Sequence, residues 1–133
     1  MSIRTAALGK VEPHWGEYVI MVTRWVNPWL KTYIQRTKRW LHIPDLAPSV
    51  KLLRALKKGQ IDWDEYAARY RKEMKSPRAQ DLIRRLKEFG DWLDVVLVCY
   101  CADEKHCHRS ILKELIDEQP PPNSQVRKGE TEA

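Results

Sequence analysis

The chain has 133 residues and carries a formal net charge of +6 at pH 7. This length suits one domain with a single two- or three-layer core and is too short for two. The positive charge favours anionic partners such as nucleic acid, nucleotides or phosphorylated metabolites, and no apolar run approaches the roughly 18 residues that a membrane span needs.

The 3 cysteines lie close together, between positions 99 and 107, instead of being spread along the chain as in a disulfide framework. An odd number cannot pair completely within one chain. Met1-Ser2-Ile3-Arg4 is not followed by the apolar core of a signal peptide, so export is not indicated. We therefore expect a protein of the reducing cytoplasm.

The first predicted elements are two short apolar runs. Residues Ile3 to Leu8 predict a strand at one edge of the sheet, and residues 10–16 predict a loop. The unbroken run from Tyr18 to Val22 is typical of a central strand that is covered on both faces. It ends at Thr23-Arg24-Trp25.

Residues 26–44 combine cations with aromatic rings and contain no acidic residue. The cations are Lys31, Arg36, Lys38 and Arg39, and the rings are Trp29, Tyr33 and Trp40. Such a mixture suits single-stranded nucleic acid, where cations contact phosphates and rings stack on bases. In the alternative interpretation, which we favour, the rings pack a loop or short helix onto the sheet while the cations face water.

Three amphipathic helices are predicted next, each with a marked start. Ser49 begins a helix that Gly59 ends, and Asp62, with an acidic residue three positions later, has the form of a capping box. Ser76, followed by proline, begins a third helix whose apolar stripe ends before Gly90. The second helix carries its apolar residues at helical spacing, which predicts that they belong to the core: Trp63, Tyr66, Ala67, Tyr70 and Met74.

The C-terminal part predicts a strand, a loop and a helix in that order. Residues 95–98 form a β-branched apolar run, six polar or small residues precede the Cys-His-Arg sequence, and apolar positions from Ile111 to Ile116 share one helix face. After the helix, three prolines and a polar sequence predict a disordered tail at 120–133, which leaves 1–119 as a single domain.

About seventy residues with helical signals separate the two central strands, so the simplest connection is a long crossover that makes them parallel. The carboxyl ends of neighbouring parallel strands meet at one edge of the sheet. Thr23, Arg24 and Trp25 would then face the same crevice as Cys99 and the loop at 101–109. The sequence predicts an α/β protein with a short parallel central sheet flanked by helices.

The pattern of a hydrophobic strand ending in Cys99, a loop, and Cys107-His108-Arg109 at a helix start resembles the domain of unknown function 488 family. Residues 22–25, 46–49, 61–66 and 69–74 also resemble it, so the resemblance covers roughly residues 3–118. The family commonly has Glu two positions after the strand cysteine, where this chain has Cys101. Any acid role there would move to Asp103 or Glu104, or be absent. The resemblance implies a Rossmann-like α/β fold and a site rather than a reaction.

A thiol at the start of a helix, with cationic neighbours, is expected to ionise readily. We therefore expect Cys107, with Cys99 nearby, to be a catalytic nucleophile, and His108 or His106 to transfer a proton. The two guanidinium groups, Arg24 and Arg109, would bind an anionic group of a nucleotide-like or phosphorylated substrate.

Thr23, Trp25 and Cys101 complete the expected substrate-binding set, and no cofactor or metal is predicted. The five-residue spacing between nucleophilic cysteine and arginine that phosphatases use is missing, because the arginine position counted from Cys101 is occupied by Cys107.

Four alternatives remain open. The residues could be structural, with Cys99 as a small hydrophobe, His108 bonded to a carbonyl, and Arg109 paired with Asp103 or Glu104. Zinc could be held by the cluster Cys99, Cys101, His106, Cys107 and His108, although the spacing is not Cys-x-x-Cys. Cys99 or Cys101 could form a reversible disulfide with Cys107. Finally, the chain could be a basic nucleic-acid-binding module without catalysis, using residues 24–39.

Overall fold

The computed structural model describes residues 2–8, 16–101 and 103–120. Within these ranges the elements, in chain order, are β1 (Ile3–Ala7), β2 (Tyr18–Met21), α1 (Pro28–Arg36), β3 (Trp40–His42), α2 (Val50–Lys57), α3 (Trp63–Glu73), α4 (Pro77–Trp92), β4 (Val95–Cys99) and α5 (His108–Asp117). Short 3-10 turns lie at Pro44–Leu46 and Glu104–His106. The predicted disordered tail at 120–133 lies, apart from Pro120, outside the described residues.

The four strands form one parallel sheet in the order β1-β4-β2-β3. Tyr18 is paired with Val95 and Met21 with Val98, so the two apolar runs are parallel neighbours in the middle of the sheet. Ala7, at the end of β1, is paired with Cys99. The predictions of an edge strand near the N-terminus and of two adjacent parallel central strands are confirmed, as is the small Rossmann-like α/β class.

The strand β3 is not predicted by the sequence. It has only three residues, none of them fully buried, and it lies at the sheet edge beside β2. Backbone bonds hold it there: Val19 N donates to Arg39 O at 2.7 Å, and Ile43 N donates to Met21 O at 2.9 Å. A three-residue edge strand inside a cationic segment has no apolar run to reveal it.

The predicted helix starts are confirmed. Ser49, Asp62 and Ser76 each accept a hydrogen bond from the backbone N–H three residues later. The end of α4 differs, because the helix passes through Gly90 to Trp92. A Cβ at position 90 would lie 2.5 Å from the Cδ1 and Cγ1 atoms of Ile3, so this glycine allows β1 to approach the helix and does not end it.

Both faces of the sheet are covered. Alternate strand residues such as Ile20 and Leu97 belong to a large core that packs against α2, α3, α4 and α5, while Val19 and Val98 belong to a smaller core that includes Leu30 of α1. Among the helices of the described part, none combines the length and apolar character needed to cross a bilayer.

Candidate active site

A cavity of about 390 Å³ lies where the carboxyl ends of β2 and β4 meet the start of α5. We call it the thiol cavity. Its lining residues are Thr23, Arg24, Trp25, Pro48, Leu53, Leu56, Lys57, Tyr66, Cys99, Tyr100, Cys101, His106, Cys107 and His108. All the predicted site residues except Arg109 therefore line one cavity, and Arg109 contacts Cys99 from within the protein.

The centre of the cavity wall is a pair of cysteines. Cys99 is the last residue of β4, and Cys107 caps the start of α5. Their Sγ atoms lie 2.6 Å apart, both side chains are free thiols, and the residues are only 2% and 3% exposed. Strand pairing on both sides of β4 fixes Cys99 against the helix start, so the fold itself brings the sulfurs together.

Arg109 is buried behind this thiol pair, at 3% exposure. Its Nη1 donates to Cys99 Sγ at 3.1 Å and to the carbonyl oxygen of Cys101, while its Nε has no hydrogen-bond partner among the described residues. The alternative pairing of Arg109 with Asp103 is wrong, because the Asp103 carboxylate lies 2.8 Å from His106 Nδ1 instead. The arginine charge is thus directed at sulfur.

These contacts shift the pKa values of the two thiols in opposite directions. The pKa of Cys99 is lowered to about 6, because the Cys107 thiol and then Arg109 donate hydrogen bonds to its sulfur and together outweigh burial. The pKa of Cys107 is raised, because its proton is shared with the Cys99 sulfur and burial opposes a second negative charge. The sequence leads us to expect the ionised thiol at Cys107, whereas these pKa directions favour Cys99, because the helix start acts on a sulfur that already faces a thiolate.

His108 is held as a neutral imidazole. Its Nε2 lies 2.6 Å from the carbonyl oxygen of Val22, which can only accept, so Nε2 carries the proton. Nδ1 is therefore unprotonated and makes a long contact of 4.0 Å with Cys107 Sγ. Burial lowers the pKa of His108 to about 4, and the charges of Arg109 and Arg24 add to this effect. At neutral pH His108 is therefore in its unprotonated form, a weak base with an acceptor at Nδ1 and no proton there to donate.

Thr23, Arg24 and Trp25, which follow β2 after Val22, form the opposite wall. Arg24 donates from Nη2 to the carbonyl oxygens of Ala47 at 3.0 Å and Pro48 at 3.1 Å, so it holds this loop while its charge remains at the cavity. Thr23 Oγ1 is buried and has no hydrogen-bond partner among the described residues. Trp25 is 58% exposed at the cavity edge.

Several lining residues are absent from the sequence-based site. Tyr66 is buried as predicted, yet it also faces the cavity, and Lys57 enters from the last turn of α2. Helical periodicity shows which face of a helix is apolar, but it does not show that α2 and α3 cross the end of the sheet. No sequence signal distinguishes Lys57 from Lys51, the other lysine of α2.

Two members of the possible zinc cluster lie apart from the rest. Cys101 is exposed and its Sγ contacts the carbonyl oxygens of Asp103 and His106, so only Cys99, Cys107 and His108 place their ligand atoms within 4.8 Å of one another. Two sulfurs bound to one tetrahedral zinc at about 2.3 Å would be roughly 3.8 Å apart. In this structure the two sulfurs are 2.6 Å apart and Arg109 donates to one of them, which favours a hydrogen-bonded thiol pair.

The parallel sheet and the site at its carboxyl edge define a small Rossmann-like α/β protein with a thiol pair. The chain belongs to the DUF488 family: the family model DUF488-N3a, described as the active DUF488-N3 subclade, matches residues 3–120. No curated protein and no solved structure matches the chain.

Proposed function

We propose that the protein is an enzyme that uses a cysteine thiolate on a small anionic substrate, of nucleotide-like or phosphorylated class. The observation that carries this proposal is the 3.1 Å contact from Arg109 Nη1 to Cys99 Sγ at the wall of the thiol cavity. A buried guanidinium directed at sulfur stabilises the ionised, nucleophilic form of a thiol. The description of the family model as an active subclade agrees with an enzyme.

The cavity walls favour an anion that carries a flat apolar group. Arg24 and Lys57 supply positive charge, and none of the described residues that line the cavity is acidic. Trp25, Tyr66 and Leu53 supply ring and aliphatic surface on which a base or sugar ring can pack. The volume of about 390 Å³ falls within the usual range for small-molecule sites.

The proposed reaction is a displacement at Cys99. Its sulfur forms a bond to the electrophilic atom of the substrate while the bond to the leaving group breaks, and the leaving group takes the electron pair. The oxygen of a water molecule then bonds to the same substrate atom while the bond to sulfur breaks, and the electron pair returns to the Cys99 thiolate. The proton of the water passes through Nδ1 of His108 to solvent. Cys107 remains a thiol throughout and donates its hydrogen bond to the Cys99 sulfur.

Alkylation of the folded protein against pH tests the nucleophile. The variant Cys101→Ser removes the exposed thiol, so that iodoacetamide reports only on the thiol pair. We expect peptide mass spectrometry to locate the label on Cys99, with a rate that rises through a midpoint near pH 6. Labelling of Cys107 first, or a midpoint near the ordinary value of about 8.5, would overturn the assignment.

Binding of single-stranded nucleic acid is a second candidate, and a groove beside α1 and β3 favours it. Lys31, Lys38 and Trp40 line the groove, and Trp25 borders both this groove and the thiol cavity. Trp29, which lies on α1, is 68% exposed. Packing onto the sheet therefore accounts for Trp40, which contacts the smaller core, but not for Trp29.

Salt dependence tests this second candidate. If strand phosphates bind these cations, the affinity for a short single-stranded DNA or RNA will fall steeply between low and moderate salt. Lys31→Glu should weaken binding more than Lys75→Glu, an equal charge change at an exposed residue outside the groove. Undetectable binding of both nucleic acids at low salt would remove this candidate.

A further inference from the structure

The thiol pair has a geometry that the proposed displacement does not require. A nucleophilic cysteine needs a cation or a base beside it, and Arg109 already supplies the cation. The second buried sulfur, 2.6 Å from Cys99 Sγ, is an additional feature. This separation is only about half an ångström longer than a disulfide bond of about 2.05 Å.

We propose that Cys99 and Cys107 form a redox-active dithiol that closes to an internal disulfide by exchange with a low-molecular-weight disulfide, and that this closure switches off the nucleophile. The switching role rests on the proposed function, but formation of the bond does not depend on any substrate. The sequence leaves open whether Cys99 or Cys101 forms a disulfide with Cys107, and the proposal assigns this role to Cys99.

The positions of the sulfurs select this pair. Cys99 is held at the end of a central strand and Cys107 at the start of α5, so closing the bond requires little backbone movement. The Cys101 sulfur, in contrast, is exposed and directed at the backbone carbonyls of Asp103 and His106. An internal bond to Cys107 therefore comes from Cys99.

The two thiols also differ in acidity, as thiol–disulfide exchange requires. Arg109 stabilises the thiolate on Cys99, and Cys107 keeps its proton until Cys99 has reacted. A low-pKa thiol that attacks and a buried second thiol that resolves is an effective combination for thiol–disulfide exchange. His108 Nδ1 carries no proton and lies 4.0 Å from the Cys107 sulfur, so it is placed to receive the proton of the Cys107 thiol.

The exchange proceeds in two balanced steps. The Cys99 thiolate attacks one sulfur of the small disulfide, forms a mixed disulfide, and expels the other sulfur as a thiolate. Cys107 then loses its proton to His108, attacks the Cys99 sulfur, and expels the second thiolate. The expelled thiolates take up protons, so two protein thiols and one small disulfide become one protein disulfide and two small thiols.

Closure removes the site's nucleophile. The Cys99 electron pair that would attack a substrate is used in the S–S bond, and Arg109 loses the thiolate that it stabilises. The oxidised protein should therefore resist alkylation at Cys99 and recover when a reducing thiol is added.

The test uses the full chain carrying Cys101→Ser, incubated with mixtures of oxidised and reduced glutathione. After acid quenching, unfolding and alkylation, we expect the protein to lose both alkylation sites as the oxidised fraction rises. A peptide linked between Cys99 and Cys107 should appear, and reduced glutathione should reverse it. C107S/C101S should stop at one glutathione on Cys99, whereas C99S/C101S, which lacks the attacking thiol, should react much more slowly.

Two outcomes would overturn the proposal: two alkylatable thiols at the highest oxidised fraction, or only glutathione adducts and bonds between molecules in C101S. Peptide mapping of the unaltered chain gives the same answer if a variant does not fold. Anion binding to the reduced protein tests the proposed function separately, because a disulfide can form in a protein that binds no anion.

Discussion

At the scale of single residues, Arg109 determines which thiol is ionised. Replacing it by Met keeps the aliphatic volume but removes the donor to Cys99. The pKa of Cys99 should then rise above about 6 but stay below its ordinary value, because the Cys107 thiol, the larger cause of the lowering, still donates to its sulfur. The thiolate fraction at pH 7, about nine tenths in the native chain, should fall accordingly. We expect the midpoint of Cys99 alkylation to move to higher pH and the rate at pH 7 to fall.

Arg109→Lys is the matched control, because it keeps a cation without the planar guanidinium. Its alkylation midpoint should lie between those of the native chain and Arg109→Met. Circular dichroism checks that both variants fold, since Arg109 also donates to the Cys101 carbonyl. An unchanged midpoint in Arg109→Met would show that arginine does not stabilise the thiolate.

His108 should make the protein sensitive to acid. Its pKa is lowered from 6.5 to about 4 in the folded state, so the unfolded chain binds a proton in this interval that the folded protein does not. The associated stability is complete above pH 6.5 and is lost as the pH falls towards 4. A shift of this size corresponds to at most roughly 3 kcal/mol in the free energy of unfolding.

His108→Gln tests this link, because its side-chain amide can still donate to the Val22 carbonyl but does not titrate. We expect urea unfolding at pH 7 and pH 4.5 to show a smaller loss of stability in His108→Gln than in the native chain. Carboxylates and the other histidines titrate in both proteins and cancel in the comparison. Equal losses would mean that His108 is not held neutral by burial.

At the scale of elements, the sequence predicts the features of helices and strands that are set by residues close in the chain. Ser49, Asp62 and Ser76 mark helix starts because a capping side chain bonds only three residues ahead. The strand β3 and the length of α4 are missed, because they depend on residues distant in the chain. Gly90 has the local signal of a helix end, whereas its actual reason is the contact with Ile3.

Gly90→Ala therefore tests a tertiary constraint. Alanine normally stabilises a helix interior by about 1 kcal/mol relative to glycine. Here the new methyl group would lie 2.5 Å from the Ile3 side chain, so we expect a net loss of about 1–3 kcal/mol in denaturant unfolding. In an Ile3→Ala background the same substitution should become neutral or stabilising. A stabilising Gly90→Ala in the native background would contradict the close approach.

At the scale of the whole molecule, the sequence locates the site because parallel strands bring distant residues together. Thr23 and Cys99 are far apart in the chain, yet Thr23 follows β2 and Cys99 ends β4, and the carboxyl ends of these two strands meet. The sequence does not reveal which sulfur is ionised, because that depends on where the Arg109 guanidinium points. It also does not reveal Lys57 and Tyr66, which reach the cavity only through the placement of two helices.

The net charge of +6 and the local charge of the thiol cavity can be separated by experiment. Lys57 lines the cavity, whereas Lys58 is its exposed neighbour outside the lining, so Lys57→Glu and Lys58→Glu change the total charge equally. If the cavity binds anions, titration calorimetry with pyrophosphate and a nucleoside monophosphate should show a several-fold weaker affinity for Lys57→Glu than for Lys58→Glu. Equal weakening would instead assign anion binding to the long-range field of a basic protein, which salt screens over about 8–10 Å.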